Sequence, residues 1–270
     1  MPVAVIVVVD AEHAELVSIE LFDLGATAIG EAARADGQIA LTAGFASTDQ
    51  AQSAVDRLGP RDATIDRDAD ADGWIETQRE TFSPTDAGTW TVRAPWHAAT
   101  GDPTRIDLVI DPGAAFGHGG HATTTLLLDM IPSAVEPGAH VLDVGTGTGV
   151  LAIAAATIGA TVTAIEKDPV AVEIARGNVS RNGMDDRVRT ELIDAGSTAR
   201  DADIAFVNVT IDVHRLVAHS LNSVPLVLIS GILDEQLDEA VALYGRPVLE
   251  LQRSRPWVAA RLGSEPVLAR

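Results

Sequence analysis

Residues 140–150 read HVLDVGTGTGV. The apolar run His140–Val144 predicts a buried strand, and the run Val150–Ile158 predicts a helix. Three alternating glycines lie between them, and a backbone without Cβ atoms can turn sharply and let a ligand approach. A strand, a glycine turn and a helix in this order predict a nucleotide-type site in an α/β fold.

The spacing of the glycines indicates the class of ligand. A dinucleotide site needs the pattern G-x-G-x-x-G, whereas Gly145, Gly147 and Gly149 form G-x-G-x-G and Val150 takes the place of the third glycine. An acidic residue, Asp143, lies two positions before the first glycine. A nicotinamide dehydrogenase is therefore the weaker interpretation, and a tight turn without a ligand stays open as an alternative.

The remainder of the second half alternates short apolar strands with helical segments, which predicts a parallel sheet covered on both faces. The ligand of such a sheet binds outside the carboxyl ends of its strands. The predicted strands and helices are His140–Val144, Val150–Ile158, Thr161–Ile165, Pro169–Arg181, Val188–Ile193, Ile204–Val207, Val213–Leu221, Leu226–Ile229 and Glu235–Tyr244. The segments Val248–Arg253 and Trp257–Leu262 predict a final antiparallel hairpin.

The first third has a strand–helix–strand–strand–helix pattern, which is typical of a small ferredoxin-like α+β domain. Its elements are predicted at Val3–Val9, Ala11–Leu24, Thr27–Gly30, Gln38–Phe45 and Thr48–Leu58. Next come a linker or weak edge strand, a short helix and two strands, predicted at Arg61–Gly73, Ile75–Phe82, Thr89–Ala94 and Arg105–Ile110. We therefore expect a small domain at residues 1–66, a linker and strand region at 67–110, and a larger domain at 111–270.

Composition excludes several classes of protein. The 270 residues include no cysteine, which excludes disulfides and thiolate metal sites. With 39 acidic and 19 basic residues the net charge is −20, so the basic footprint of a nucleic-acid binder is missing. No apolar run approaches the roughly 20 residues of a membrane span, and a cytoplasmic protein is expected. The negative charge would attract a basic partner. Solubility or adaptation to salt is the alternative explanation for it.

Three acidic or amide residues follow predicted strands and carry candidate chemistry. The carboxylate of Glu166 can accept hydrogen bonds from both ribose hydroxyls of a nucleotide. By analogy of fold, Asp194 can meet an adenine amine, although a solvated surface acid is an equal alternative. The side-chain carbonyl of Asn208 can accept hydrogen bonds from a substrate amine and aim its lone pair, while a strand-end cap is the alternative.

A glycine-rich loop and a helix start precede these strands, at residues 111–124. The hydroxyl of Thr123 or Thr124 can bind a cofactor carboxylate, and the N-terminus of the helix also favours an anion. His118 and His121 lie in the same loop as possible bases or metal ligands. Loop and cap hydrogen bonding is the favoured interpretation of both histidines, and no metal site is predicted.

Several stretches together resemble the PrmA family, whose members methylate ribosomal protein L11. The FGHGGHATT segment distinguishes this family from other methyltransferases that share the glycine motif. The resemblance runs from about Trp74 to the C-terminus, on DPGAAFGHGGHATTTLLL (111–128), VLDVGTGTGVLAIAAATIGA (141–160), AIEKDPVAVEIARGNVSRNG (164–183), NVT (208–210) and LISGIL (228–233).

The resemblance implies a Rossmann-like class I methyltransferase domain with a mostly parallel seven-stranded sheet and helices on both faces. It implies S-adenosylmethionine as the cofactor, ribosomal protein L11 as the substrate and recognition of that substrate by the N-terminal domain. The implied enzyme is a monomeric lysine or α-amino N-methyltransferase without contacts to nucleic acid or membrane. Asn208 is the expected catalytic residue, and the expected cofactor contacts are Thr124, Asp143, Gly145, Gly147, Glu166, Asp194 and Asn208.

Two alternatives stay open. Thr210, in place of an apolar residue of the family pattern, and a short first domain favour keeping a methyltransferase that acts on another protein or a small-molecule amine. The second alternative is a non-catalytic module that only binds the cofactor. Against this alternative stand the residues expected at a working site, which are all present: Gly145, Gly147, Glu166 and Asn208.

Overall fold

The computed structural model describes residues 3–26, 28–34, 36–45, 47–59, 62–66, 83–113, 119–194 and 201–263. The chain divides into two compact units, Met1–Phe82 and Ser83–Arg270. Residues 83–110, expected to link the domains, thus cluster with the second unit. The proposed boundary after residue 66 stays a prediction. The predicted helix Ile75–Phe82 and the residues Trp74 and His118 lie outside the described residues.

The first unit contains a four-stranded antiparallel sheet in the order β2-β3-β1-β4. Alternate residues of β1 and β3, among them Val5, Val7, Leu41 and Phe45, are buried in one apolar core. The elements of this unit are β1 (Val3–Asp10), α1 (Ala14–Asp23), β2 (Ala28–Ala33), β3 (Gln38–Phe45), α2 (Thr48–Leu58) and β4 (Asp62–Asp66).

Local capping explains the bounds of α2, which the sequence predicts correctly. Ser47 accepts a hydrogen bond from the N–H of Gln50 at 3.3 Å, and Gly59 ends the helix at a φ of +71°. Of the two alternatives for residues 61–73, the edge strand is confirmed at Asp62–Asp66, where pairing with β1 offsets the low apolar content. The first helical segment opens with a 3₁₀ turn, Ala11–His13.

The second unit contains a seven-stranded sheet in the order β10-β9-β8-β11-β12-β14-β13. The pairs from β10 to β12 are parallel, and the β13–β14 hairpin is antiparallel, as the sequence predicts. Its strands are β8 (His140–Val144), β9 (Thr161–Glu166), β10 (Val188–Leu192), β11 (Ile204–Asn208), β12 (Leu226–Leu233), β13 (Val248–Ser254) and β14 (Trp257–Gly263).

Helices connect these strands at nearly the predicted positions. They are α3 (Ala122–Ala134), α4 (Val150–Thr157), α5 (Pro169–Arg181), α6 (Ile211–Val217) and α7 (Leu237–Tyr244), with 3₁₀ turns at Ala218–Leu221 and Asp234–Gln236. Asp168 caps α5 by accepting from the N–H of Val170 at 2.8 Å, and Pro169 opens the helix. Within the described ranges, no helix combines the length and the apolar character needed to cross a bilayer.

A small three-stranded sheet precedes α3 and consists of β5 (Thr85–Ala87), β6 (Trp90–Arg93) and β7 (Ile106–Val109). The sequence predicts β6 and β7 but not β5, which is only three residues long and depends on its pairing with β6. Asn182, which directly follows α5, fixes the end of β7, since it donates to the carbonyl of Val109 and accepts from its N–H at 2.8 and 2.9 Å.

Candidate active site

The glycine loop between β8 and α4 has the backbone conformation that its sequence requires. Gly145, Gly147 and Gly149 have φ angles of +69°, +55° and +84°, a region that favours glycine. The N–H of Gly145 donates to the carbonyl of Ile165 at 2.9 Å. A Cβ added to Gly145 would lie 2.9 Å from Cγ1 of Val209, so the loop also packs against the end of β11.

Glu166 lies beside the glycine loop, at the end of β9. Its Oε2 accepts from the N–H of Gly147 at 3.2 Å, and its Oε1 accepts from the N–H groups of Lys167 and Asp168 at 2.8 and 3.1 Å. Because a carboxylate has about four acceptor positions, a first ligand hydroxyl can bind at Oε2. A second hydroxyl at Oε1 would have to replace one of the amides.

Asp143 is buried at the end of β8, with 1% of its surface exposed. The hydroxyl of Thr146 donates to its Oδ2 at 2.5 Å. Burial raises the pKa of Asp143 to about 7, while the hydrogen bonds from Thr146 and the backbone of Ala152 oppose this change and the charge of Glu166 adds to it. The side chain holds the glycine loop by its bond to Thr146, and its role as a cofactor contact stays a prediction.

Asn208 and Thr124 are hydrogen-bonded to each other at the carboxyl end of β11. The Nδ2 of Asn208 donates to Oγ1 of Thr124 at 3.3 Å. Thr124 is fully buried in the first turn of α3. The Oδ1 of Asn208 is also buried, and it has no hydrogen-bond partner among the described residues. A buried acceptor without a partner is costly in a folded protein, so this atom is suited to receive a donor from a ligand.

His121 serves as the N-cap of α3. Its Nδ1 accepts from the N–H of Thr123 at 3.3 Å and contacts the hydroxyl of the same residue at 2.7 Å. This confirms the expected cap hydrogen bonding and leaves Thr124, rather than Thr123, beside Asn208. Among the described residues, no group of three His, Asp or Glu side chains is arranged to hold a metal ion.

Asp194 is exposed just beyond the end of β10. The adjacent N–H of Ile193 donates to the carbonyl of Glu166 at 2.8 Å, so Asp194 lies at the same edge of the sheet as Glu166. Its contact with an adenine amine stays a prediction.

A bulge in β12 is a part of the site that the sequence analysis misses. The strand extends to Leu233, beyond the predicted end at Ile229, and its pairing with β14 shifts between Ile229 and Ile232. Gly231 has a φ of +81°, and a Cβ there would lie 2.4 Å from the carbonyl oxygen of Val209. A glycine within an apolar strand is the signal that could have indicated this bulge.

Asn178 of α5 is a second residue that the sequence analysis misses. The side chain is fully buried, and its Nδ2 donates to the carbonyls of Thr148 and Asp111 at 2.9 and 3.0 Å. Its Oδ1 accepts from the N–H of Asp111 at 2.8 Å. These bonds hold the glycine loop and the segment that leads into residues 114–118, and no local sequence signal marks an asparagine for such a role.

Comparison with known proteins agrees with this geometry. A family model described as "Ribosomal protein L11 methyltransferase (PrmA)" matches residues 5–261. A ribosomal protein L11 methyltransferase of Desulfitobacterium hafniense is 35% identical over 197 residues, or 70% of this chain. The corresponding protein of Dechloromonas aromatica is 37% identical over 182 residues, or 64% of this chain.

A solved structure is also similar. The ribosomal protein L11 methylase of Lactobacillus delbrueckii subsp. bulgaricus superimposes with a TM-score of 0.60 at 25% identity, over 65% of this chain and 94% of that one. The chain spans 63% and 59% of the lengths of the D. hafniense and D. aromatica relatives. Since the family model covers nearly the whole sequence, the chain belongs to the PrmA family of ribosomal protein L11 methyltransferases.

Proposed function

We propose that this protein is an S-adenosylmethionine-dependent N-methyltransferase that methylates lysine or α-amino groups of ribosomal protein L11. The observation that carries the proposal is the buried Oδ1 of Asn208, which lacks a partner among the described residues and lies at the carboxyl edge of the sheet. An amine substrate supplies the N–H donor that this atom needs. Membership in the PrmA family supports the same substrate.

The residues present fit S-adenosylmethionine. Gly145 and Gly147 let the backbone come close to a ligand, and Glu166 retains an acceptor position for a ribose hydroxyl. Asp143, Asp194 and Thr124 complete the proposed cofactor contacts. When bound, the cofactor supplies an activated methyl group on a sulfonium that leaves readily.

The role of the protein in the reaction is to orient the acceptor amine and to exclude water. The hydroxyl of Thr124 holds the Nδ2 of Asn208. Because Oδ1 belongs to the same planar amide, this bond also orients Oδ1. A hydrogen bond from the amine to Oδ1 aims the nitrogen lone pair, and such orientation can lower a barrier by several kcal/mol. A lysine amine has a reference pKa near 10.4 and must lose a proton first, which apolar surroundings favour.

We propose further that the first unit recognises the protein substrate and has a ferredoxin-like fold. The element order β-α-β-β-α-β and the sheet order β2-β3-β1-β4 support the fold. The net charge of −20 supports a basic substrate and the absence of nucleic-acid contacts. We propose that the enzyme acts as a monomer in the cytoplasm.

The test is incubation of the purified protein with isotopically labelled S-adenosylmethionine and ribosomal protein L11 from the same organism, followed by mass spectrometry. Label on lysine side chains or on the N-terminus of L11 is expected. Cofactor binding by calorimetry with label only on other amines would move the function to another substrate. Failure to bind the cofactor would overturn the proposal.

A second experiment separates recognition from catalysis. Removal of residues 1–82 is expected to leave cofactor affinity within about twofold, because the glycine loop and its contacts lie in the second unit. Methylation of L11 should be lost. Continued methylation of L11 by a truncated protein that binds the cofactor would exclude recognition by the first unit.

A further inference from the structure

His214 is a buried histidine with hydrogen bonds at both ring nitrogens. It lies on α6 with none of its surface exposed. The Nδ1 is 2.8 Å from the hydroxyl of Tyr244, and the Nε2 is 2.9 Å from the carbonyl oxygen of Ser230. Because a carbonyl can only accept, Nε2 carries the proton and Nδ1 accepts from the tyrosine hydroxyl. Burial lowers the pKa of His214 to about 4, so the ring is neutral.

The bond from Nε2 reaches the bulge of β12 at its contact with β11. Ser230 is paired with Asn208 in the parallel register of the two strands. The next residue, Gly231, packs against the backbone of Val209, since a Cβ there would lie 2.4 Å from the Val209 carbonyl oxygen. The ring therefore binds the backbone of β12 directly, and it is linked to β11 through the paired residues Ser230 and Asn208.

An apolar residue would fill this space at a lower desolvation cost. Tyr244, the hydrogen-bond partner of His214, belongs to an apolar cluster that includes Val217, Ile232 and Ala240. A buried neutral imidazole is stable here because both nitrogens are hydrogen-bonded, and removal of its ring would leave the Ser230 carbonyl and the Tyr244 hydroxyl without these bonds. His214 therefore contributes more to the geometry of the strand ends, through its hydrogen bonds, than to the packing of the core.

We infer that His214 is a positioning residue for methyl transfer: its Nε2–H holds the Ser230 carbonyl, and the pairing of Ser230 with Asn208 thereby fixes the direction of the Asn208 side chain. The inference rests on the proposed function for its catalytic consequence. The claim that His214 holds the ends of β11 and β12 in place does not depend on the proposed function, and it can be tested without the substrate.

Two conservative variants separate the two bonds of the ring. In His214→Gln the amide nitrogen takes the place of Nε2 and can still donate to Ser230. In His214→Asn the shorter side chain reaches only the position of Nδ1 and keeps a partner for Tyr244. His214→Leu removes both bonds, and Tyr244→Phe removes only the hydroxyl.

The first measurement is hydrogen–deuterium exchange in the segment 208–213, with α4 as an internal reference. His214→Asn and His214→Leu are expected to exchange about tenfold faster in this segment, with α4 unchanged, while His214→Gln and Tyr244→Phe resemble the wild type. Equal exchange in the Gln and Asn variants would overturn the inference, as would faster exchange throughout the second unit, which indicates a merely structural role.

The second measurement is turnover with L11 and S-adenosylmethionine at a temperature where every variant is folded. We expect kcat to fall about tenfold or more in the Asn and Leu variants, because a misplaced Asn208 side chain orients the acceptor amine poorly. The cofactor Kd and the KM for L11 should stay within about twofold of the wild-type values. A kcat that follows thermal stability across all four variants would overturn the inference. An inactive wild type would instead refute the proposed function, and the exchange data would still decide the role of His214.

Discussion

The side-chain amide of Asn208 donates to the hydroxyl of Thr124, and these residues are 84 positions apart in the sequence. The bond joins the end of β11 to the first turn of α3. It leaves Oδ1 buried and without a partner among the described residues. The proposed catalytic role of Asn208 depends on this pairing.

Replacement of Asn208 by Ala should lower kcat by about a hundredfold or more, since the acceptor amine loses its orienting bond. The cofactor Kd should change much less, because the glycine loop and Glu166 are unaltered. Thr124→Val removes the bond that directs Asn208 but keeps Oδ1, so an intermediate loss of kcat is expected at saturating cofactor, while the cofactor Kd reports the separate loss of the proposed Thr124 contact. Near-normal turnover of a folded Asn208→Ala protein would exclude a catalytic role for Asn208.

Replacement of Glu166 by Ala should weaken cofactor binding by about 1.5–3 kcal/mol, the range for a hydrogen bond to a charged group. Glu166→Gln is the informative comparison, because it keeps one acceptor oxygen and therefore loses either the bond from Gly147 or the bonds from Lys167 and Asp168. Isothermal titration calorimetry measures both affinities, and thermal unfolding reports any loosening of the loop. An unchanged cofactor affinity in Glu166→Ala would remove this residue from the site.

Replacement of Gly231 by Ala should destabilise the protein by more than the roughly 1 kcal/mol expected for strain at a positive φ. The added Cβ would lie 2.4 Å from the Val209 carbonyl oxygen, so β11 and β12 must move apart. Gly183→Ala tests the strain alone, because Gly183 has a φ of +66° and nothing within 4 Å of its Cβ position. Urea unfolding should give a larger loss for Gly231→Ala, and kcat should fall only in that variant. Equal losses would mean that the contact with Val209 can relax.

The buried imidazole of His214 should make stability fall in acid. Its pKa is lowered from 6.5 to about 4 in the folded protein, so the unfolded chain binds more protons between these values. The stabilisation is fully present above pH 6.5 and is lost as the pH falls towards 4, by about 3 kcal/mol in total. Urea unfolding from pH 7 to 4.5 should show a shallower decrease in His214→Gln than in the wild type. Parallel decreases would contradict the burial of a neutral ring.

The carboxyl of Asp143 should have the opposite dependence. Its pKa is raised from 3.8 to about 7, so the folded protein binds more protons and the contribution to stability is lost as the pH rises through 7. Urea unfolding from pH 4 to 7 should therefore show a shallower decrease in stability in Asp143→Asn than in the wild type. A pH dependence shared by the variant and the wild type would show that Asp143 is ionised throughout this range.

Salt should raise the melting temperature. The net charge of −20 over 270 residues produces self-repulsion, which is screened as the Debye length falls from about 10 Å at 0.1 M to about 3 Å at 1 M. Differential scanning fluorimetry in sodium chloride checks this, with a non-ionic solute at the same osmolality as the control. An equal rise in both solutes would attribute the effect to solute exclusion rather than to charge.

Local signals were sufficient for most of the elements. The bounds of β3, α2, β8 and α5 agree with those predicted, because each has a regular apolar pattern with a glycine, a proline or a capping residue nearby. The sequence does not predict β5, since this short strand depends on its pairing with β6 and carries little pattern of its own.

The glycine loop, the positions of Glu166 and Asn208 at strand ends, and the family resemblance can all be recognised from the amino-acid sequence, because each depends on short stretches of neighbouring residues. The bond from Asn208 to Thr124, the anchoring of the loop by Asn178 and the bond from His214 to Ser230 appear only in the folded chain. Such contacts depend on the strand order β8-β11-β12 and on side-chain rotamers within a closed core. No local pattern encodes them, since the partners meet only after the sheet has formed.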